Sequence, residues 1–222
     1  ILKLIKPLFL DEFYEELEKS TTINQLYKLQ NRIAKAKFFD PACGSGNFLI
    51  ITYKELRVLE IEIIKKIIEL SDGNVLNAFA SQIKISQFYG IEIDDFAHEI
   101  ATLSLWLAEH QMNIIFEERL FEFAQVVSIL PLKSIANIVQ GNSTRLNWEY
   151  VCPISETDEV YVIGNPPFEG SRGQVENQKD DLKVVFREDY KNLDYVSAWF
   201  YKGVQYIENK NAKCAFVSTN SI

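Results

Sequence analysis

The stretch Asp40-Pro41-Ala42-Cys43-Gly44-Ser45-Gly46-Asn47-Phe48 (DPACGSGNF) decides how the chain is read. It follows the short apolar run Lys37-Phe38-Phe39, and a long amphipathic pattern begins at Phe48. Leu49, Tyr53, Leu56, Leu59, Ile63, Ile67 and Leu70 keep helical spacing up to Ser71-Asp72-Gly73. The stretch is therefore a strand-to-helix turn built from small residues. Gly44 and Gly46 lack a Cβ and let the backbone turn sharply near a ligand. The helix that follows offers free N–H groups at its start. The GKS or GKT ending of a phosphate loop is absent, and so is the third glycine of a dinucleotide fingerprint. An acid at the strand end suits a cationic or amino-bearing ligand better than a pyrophosphate. A plain strand-to-helix turn is the alternative reading.

Working outward, the same unit recurs. Gln87–Ile93 reads as a second strand, ending at Asp94-Asp95, with a helix from Phe96 to Met112. Ile135–Val139 reads as a third strand, ending in Gly141-Asn142-Ser143. Val160–Ile163 reads as a fourth, ending at Asn165. Leu193–Ile207 reads as a helix, and Cys214–Val217 as a fifth strand ending in Ser218-Thr219-Asn220. Short buried strands alternating with helices predict a parallel sheet with right-handed crossovers. Ligands bind such sheets beyond the carboxyl ends of the strands, where the polar and glycine-rich residues fall. Ahead of the first strand, Leu8–Leu17 and a helix through Ile23, Leu26, Leu29 and Ile33, capped by Thr21 or Thr22, form a helical segment over residues 1–37.

Two further strand ends carry chemistry. Glu92 is placed to accept hydrogen bonds from both hydroxyls of a ribose. The usual offset from the glycine loop is about 20 residues; here it is about 50. A solvated turn with an N-cap is the alternative. At Ile163-Gly164-Asn165-Pro166-Pro167-Phe168, two prolines lock the backbone and remove two N–H groups. The Asn165 side-chain oxygen and the Pro166 carbonyl are acceptors that could hold both hydrogens of an NH2 group, and Phe168 offers a flat face. A proline-rich turn with a core Phe is the alternative.

The 222 residues are 47% hydrophobic and 24% charged, an ordinary globular balance for one α/β domain. Three scattered cysteines, with no CxxC, give no disulfide framework and no zinc site, as in a reducing cytosol. No apolar stretch reaches transmembrane length, and Ile1–Leu10 is too short for a signal peptide. The formal charge of −8 argues against a chain that grips nucleic acid by its own phosphate contacts.

DPACGSGNF, GIEID and NPPF, in this order, resemble the gamma-type adenine-N6 DNA methyltransferases. The wording of LKLIKPLFLDEF, DPACGSGNFLI, FYGIEIDDFAHEIA, LWLAEHQMN and GNPPF is most similar to the fused bacterial restriction-modification (type IIG) enzymes. The resemblance spans nearly the whole chain. It implies a Rossmann-like class I S-adenosylmethionine-dependent methyltransferase sheet with helices on both faces, over residues 38–222, in a cytoplasmic bacterial enzyme. It implies that Asp40, Pro41, Ala42, Cys43, Gly44, Gly46 and Phe48 surround the cofactor, that Glu92 holds its ribose and Ile93 its adenine ring. Asn142 stands where many relatives have an acid for the adenine amine. Asn165, Pro166, Pro167 and Phe168 would hold an adenine flipped out of double-stranded DNA, without a metal. A strand hairpin after the fifth strand, a DNA-recognition domain and any nuclease domain are expected to lie outside this chain. Protein-glutamine and RNA methyltransferases share the NPPF corner, and an inactive cofactor-binding fragment is a third reading. Ser171–Asp189 is expected to be either a mobile loop over the DNA cleft or a solvated, partly disordered one.

Overall fold

Side chains alternate across each strand, so the four residues of β1 (Lys37–Asp40) already set up two layers. Phe38 points to one face and Phe39 to the other. A computed structural model describes residues 1–71, 79–121 and 136–219. In it β1 joins β2 (Phe88–Glu92), β3 (Asn137–Gln140), β4 (Val160–Gly164) and β5 (Ala212–Phe216) in one sheet of order β3-β2-β1-β4-β5. Every pairing is parallel. The order reverses between β1 and β4, the switch point of a doubly wound fold, where a crevice opens at the carboxyl ends. β4 is buried along its whole length, as a central parallel strand should be.

The Phe38 face stacks with Phe88 and Tyr161 and is covered by the N-terminal helices, α4 (Asn47–Leu70) and α5 (Asp95–Leu120). The Phe39 face is covered by α6 (Trp148–Val151), α7 (Glu176–Phe186) and α8 (Ser197–Ile207). The N-terminal segment runs as α1 (Leu2–Ile5), a π turn (Lys6–Leu10), α2 (Asp11–Lys19) and α3 (Ile23–Lys35). The π turn coincides with Pro7, which has no N–H for the helical ladder, and the Asp11 N–H reaches back to the Lys6 carbonyl. Thr22 caps α3 in a capping box with Gln25. Ile5, Phe9, Phe13, Leu26, Leu29 and Ile33 share the core with the sheet. Arg32 pins this layer to β4: its Nε and Nη2 bind both oxygens of Glu159 at 2.9 and 2.7 Å, while Nη1 reaches Glu16 at 2.6 Å.

Several boundaries differ from the sequence reading, among them the fifth strand, which is Ala212–Phe216 and not Cys214–Val217. The helix expected to stop at Met112 continues to Leu120, because Phe116 and Leu120 extend its buried stripe by i+4 steps. The third strand is Asn137–Gln140, shifted toward the glycine; Ile135 lies outside the described residues. The helix expected from Leu193 begins at Ser197. Ser171–Asp189 corrects both expectations for it: Glu176–Phe186 is an ordered helix, with Leu182 and Asp181 buried. Asp72, Gly73 and Asn220 also fall outside the described residues. Among the described residues no helix is long and apolar enough to cross a membrane.

Candidate active site

The loop after β1 folds as its glycines require. Gly44 and Gly46 take φ of 53° and 85°, in the left-handed region. At Gly46 a side chain would also crowd Ala101 of α5, 3.3 Å away. Cys43 hangs from β2 through its N–H to the Ile91 carbonyl, at 3.0 Å. Glu92 then holds the loop: its Oε2 accepts the Gly44 N–H at 2.8 Å, and its Oε1 accepts the Asp94 N–H at 2.9 Å. Of the two acids after β2, Asp94 is the one that caps α5, through the Ala97 N–H.

Asp40 ends β1 in a closed seat, 1% exposed, with Oδ1 accepting the Ala42 N–H at 3.0 Å. Burial pushes its carboxyl up to about 7, against the Ala42 N–H and with the Glu92 charge adding to the rise. The seat exists because position 164 is glycine. A Cβ there would stand 2.5 Å from Asp40 Oδ1. Burial favours the neutral acid here, and a cationic group brought beside it would favour the ionised form instead. Cys43 is no nucleophile: burial and the carboxylates of Asp40 and Glu92 push its thiol far up.

After β3, Asn142 builds a turn. Its Oδ1 accepts both the N–H and the hydroxyl of Thr144, at 2.9 and 2.7 Å, and its Nδ2 donates to Asp181 Oδ2 at 3.0 Å. Lys202 of α8 ties the same loop by donating to the carbonyls of Ser143, Thr144 and Leu146. After β4, Asn165 and Pro167 are exposed, Pro166 is buried and Phe168 is 46% exposed. Among the described residues no hydrogen bond engages the Asn165 amide. The chain beyond Phe168 is fixed by the Glu169 N–H to Asp194 Oδ1 and by the Tyr195 N–H to the Glu169 carbonyl, both 3.0 Å.

These strand ends enclose one cavity of about 490 Å³ at the switch point. Such a volume suits a nucleoside-sized ligand. Of the residues singled out from the sequence, Pro41, Ala42, Glu92, Ile93, Asn142, Asn165 and Pro167 line it. Asp40, Cys43, Gly44, Gly46, Pro166 and Phe168 stand in the same loops but do not line it, and Phe48 is buried in the core. The sequence reading missed the roof: Gln178 and Asp181 on α7, with Tyr195 and Trp199 beside them. Trp199 Nε1 donates to the Pro41 carbonyl at 3.1 Å, fastening α8 to the first loop. The signal available was the spacing of Leu182, Val185 and Phe186, an apolar stripe at helical intervals inside a stretch rich in charge.

Fold and cavity define a doubly wound α/β domain with a nucleoside-sized cavity at the switch point, beside an acidic, glycine-bearing first loop. The chain belongs to the family described as MmeI, DNA-methyltransferase domain, which matches residues 15–222. It is 52% identical over 226 residues to DNA methyltransferase A of Bacillus subtilis (strain 168), a match that covers 100% of this chain and 25% of that protein. A putative type II restriction enzyme and methyltransferase of Methanocaldococcus jannaschii is 36% identical over 102 residues, 45% of this chain and 8% of its own. The type IIL restriction-modification enzyme MmeI, solved in complex with DNA, superposes with a TM-score of 0.89 at 44% identity, covering 100% of this chain and 29% of that one. The chain thus spans about a quarter of the length of the first of these relatives. By family it is a DNA-methyltransferase domain.

Proposed function

We propose that this domain transfers a methyl group from S-adenosylmethionine to N6 of an adenine flipped out of duplex DNA. The observation that carries the reading is the convergence of the three strand-end loops on one cavity, beside an Asn165 amide that no described residue engages. The residues fit the cofactor. Asp40, buried behind the Pro41 and Ala42 wall of the cavity, is an acid that a cationic amine would ionise, Glu92 keeps lone pairs for ribose hydroxyls, and Ile93, 63% exposed, offers an apolar face to a purine ring. When bound, the cofactor supplies a methyl made electrophilic by its positive sulfonium.

The chain's own residues do the rest. The Asn165 oxygen and the Pro166 carbonyl accept the two hydrogens of the adenine amine, which draws the nitrogen lone pair out of the ring and toward the methyl. Phe168 stacks on the extruded base and offsets part of an extrusion cost on the order of a few kcal/mol. Positioning and electrostatics suffice, with no covalent enzyme intermediate. Residues 1–37 act as a buttress of the core at 38–222. The longer relatives, two of them restriction enzymes by name, support a polypeptide in which DNA recognition and cleavage lie outside this chain; a cytoplasmic site of action is part of the same proposal. Methyl-labelled cofactor, duplex DNA and the full-length gene product test the reading by nucleoside analysis. Label is expected in N6-methyladenine, and Asn165→Ala is expected to abolish transfer while cofactor binding survives. Label in cytosine, RNA or protein would refute it.

A further inference from the structure

We infer that Asp181, on the α7 roof, accepts the exocyclic amine of the cofactor's adenine, in place of a residue after β3. The inference rests on the S-adenosylmethionine reading above.

An adenine amine that loses water on binding needs an acceptor in the cavity. Asn142 is already committed. Its orientation is not interchangeable: the Thr144 N–H is purely a donor, so the amide oxygen must face it, and the Asp181 carboxylate is purely an acceptor, so the amide nitrogen must face that. With Oδ1 accepting twice from Thr144, Asn142 has no acceptor to give. Gln178 Oε1 already accepts the Val175 N–H, and the Glu92 oxygens, each holding one backbone N–H, keep their remaining lone pairs for the two ribose hydroxyls. Asp181 lines the cavity and is 4% exposed. It accepts Asn142 Nδ2 and the Tyr195 hydroxyl on Oδ2, and Arg145 Nε on Oδ1 at 2.8 Å. A carboxylate has about four acceptor positions, so one remains on Oδ1. Burial works against its ionisation. The hydrogen bonds from Asn142, Tyr195 and Arg145 outweigh this and hold the carboxyl below its ordinary value, so it stays an acceptor at neutral pH.

The test compares binding of S-adenosylhomocysteine with that of S-inosylhomocysteine, which presents an oxygen where the amine was. Acceptor would then face acceptor, so the unmodified protein should prefer the adenosyl ligand by roughly tenfold or more. Asp181→Asn should shrink that ratio at least severalfold. Asn142→Ser removes a donor from Oδ2 and not from Oδ1, so it should leave the ratio at or above that of the unmodified protein. Because Asp181 also fastens α7, a surface variant covers the case in which Asp181→Asn does not fold. Arg145, whose side chain is 54% exposed, shares Oδ1, so Arg145→Ala should widen the ratio by roughly threefold. An unchanged ratio in Asp181→Asn and Arg145→Ala, or a ratio that collapses in Asn142→Ser, overturns the inference. If the unmodified protein binds neither ligand, the cofactor reading itself fails and this inference with it.

Discussion

Gly164→Ala is the sharpest probe of the site, because it changes one methyl group on a strand rather than a ligand contact. The new Cβ would stand 2.5 Å from Asp40 Oδ1 and 3.2 Å from its Cγ. Non-bonded carbon–carbon contacts settle at about 3.5 Å or more, so the Cγ approach is short by about 0.3 Å and the oxygen approach is tighter still. Neither partner can yield cheaply. Asp40 is 1% exposed and bonded to Ala42, and its strand is paired on both sides, to β2 and to β4. Either the carboxylate leaves the Ala42 N–H, a lost buried bond of about 1–3 kcal/mol, or β1 and β4 part, an overpacking cost of about 1–3 kcal/mol. For a domain of this size each kcal/mol lowers Tm by about 2–4 °C, so a fall of roughly 2–12 °C is expected. Calorimetry of the variant measures it, and titration with S-adenosylhomocysteine should show binding weakened well beyond that stability loss. Shortening the acid relieves the overlap: Asp40→Ala with Gly164→Ala should recover at least ~1 kcal/mol relative to the sum of the single changes, without recovering binding. A Gly164→Ala protein that melts and binds like the unmodified one, or a double variant with no coupling, would refute the packing argument.

Asp40 also sets a pH dependence. Its folded value, about 7, lies above the ordinary 3.8, so the fold is favoured by this group at low pH, and that contribution is lost as pH rises from about 4 to about 7. A cationic amine needs the ionised form, so affinity for S-adenosylhomocysteine should fall about tenfold between pH 8 and pH 6, and Asp40→Asn should flatten that slope; a slope unchanged in the variant points to another group. The buried pair of Arg57 and Glu60, both 1% exposed and 3.3 Å apart, should be costly to break. Arg57→Met should cost roughly 3–5 kcal/mol and lower Tm by about 10 °C, with Arg57→Met/Glu60→Gln regaining part of it; a shift within about 2 °C for the single change counts against the pair.

Legibility in the sequence followed the range of the forces involved. β1, the glycine loop and the Asp94 cap were readable because their causes lie within a few residues: alternation, missing Cβ atoms and a short polar side chain. The sheet's carboxyl ends were readable for the same reason, since each apolar run stops at its own polar residue. Asn142 marks where local reading ends. Its position after β3 is plain, but its oxygen is taken by Thr144, two residues on, and its nitrogen by Asp181, from a helix more than thirty residues away. The charge-rich composition around α7 points to a loop, mobile over the cleft or solvated, and masks the Leu182, Val185 and Phe186 spacing. Burial reverses that judgement. Asp181 is stable as a buried anion only because Asn142, Arg145 and Tyr195, from three separate segments, turn donors onto it. Those same donors leave it as the roof's one fixed negative charge over the cavity among the described residues. The half of the site formed by the strand ends was thus written locally. The half formed by the roof exists only as long-range pairing, and that pairing is where selectivity for the ligand's adenine is expected to lie.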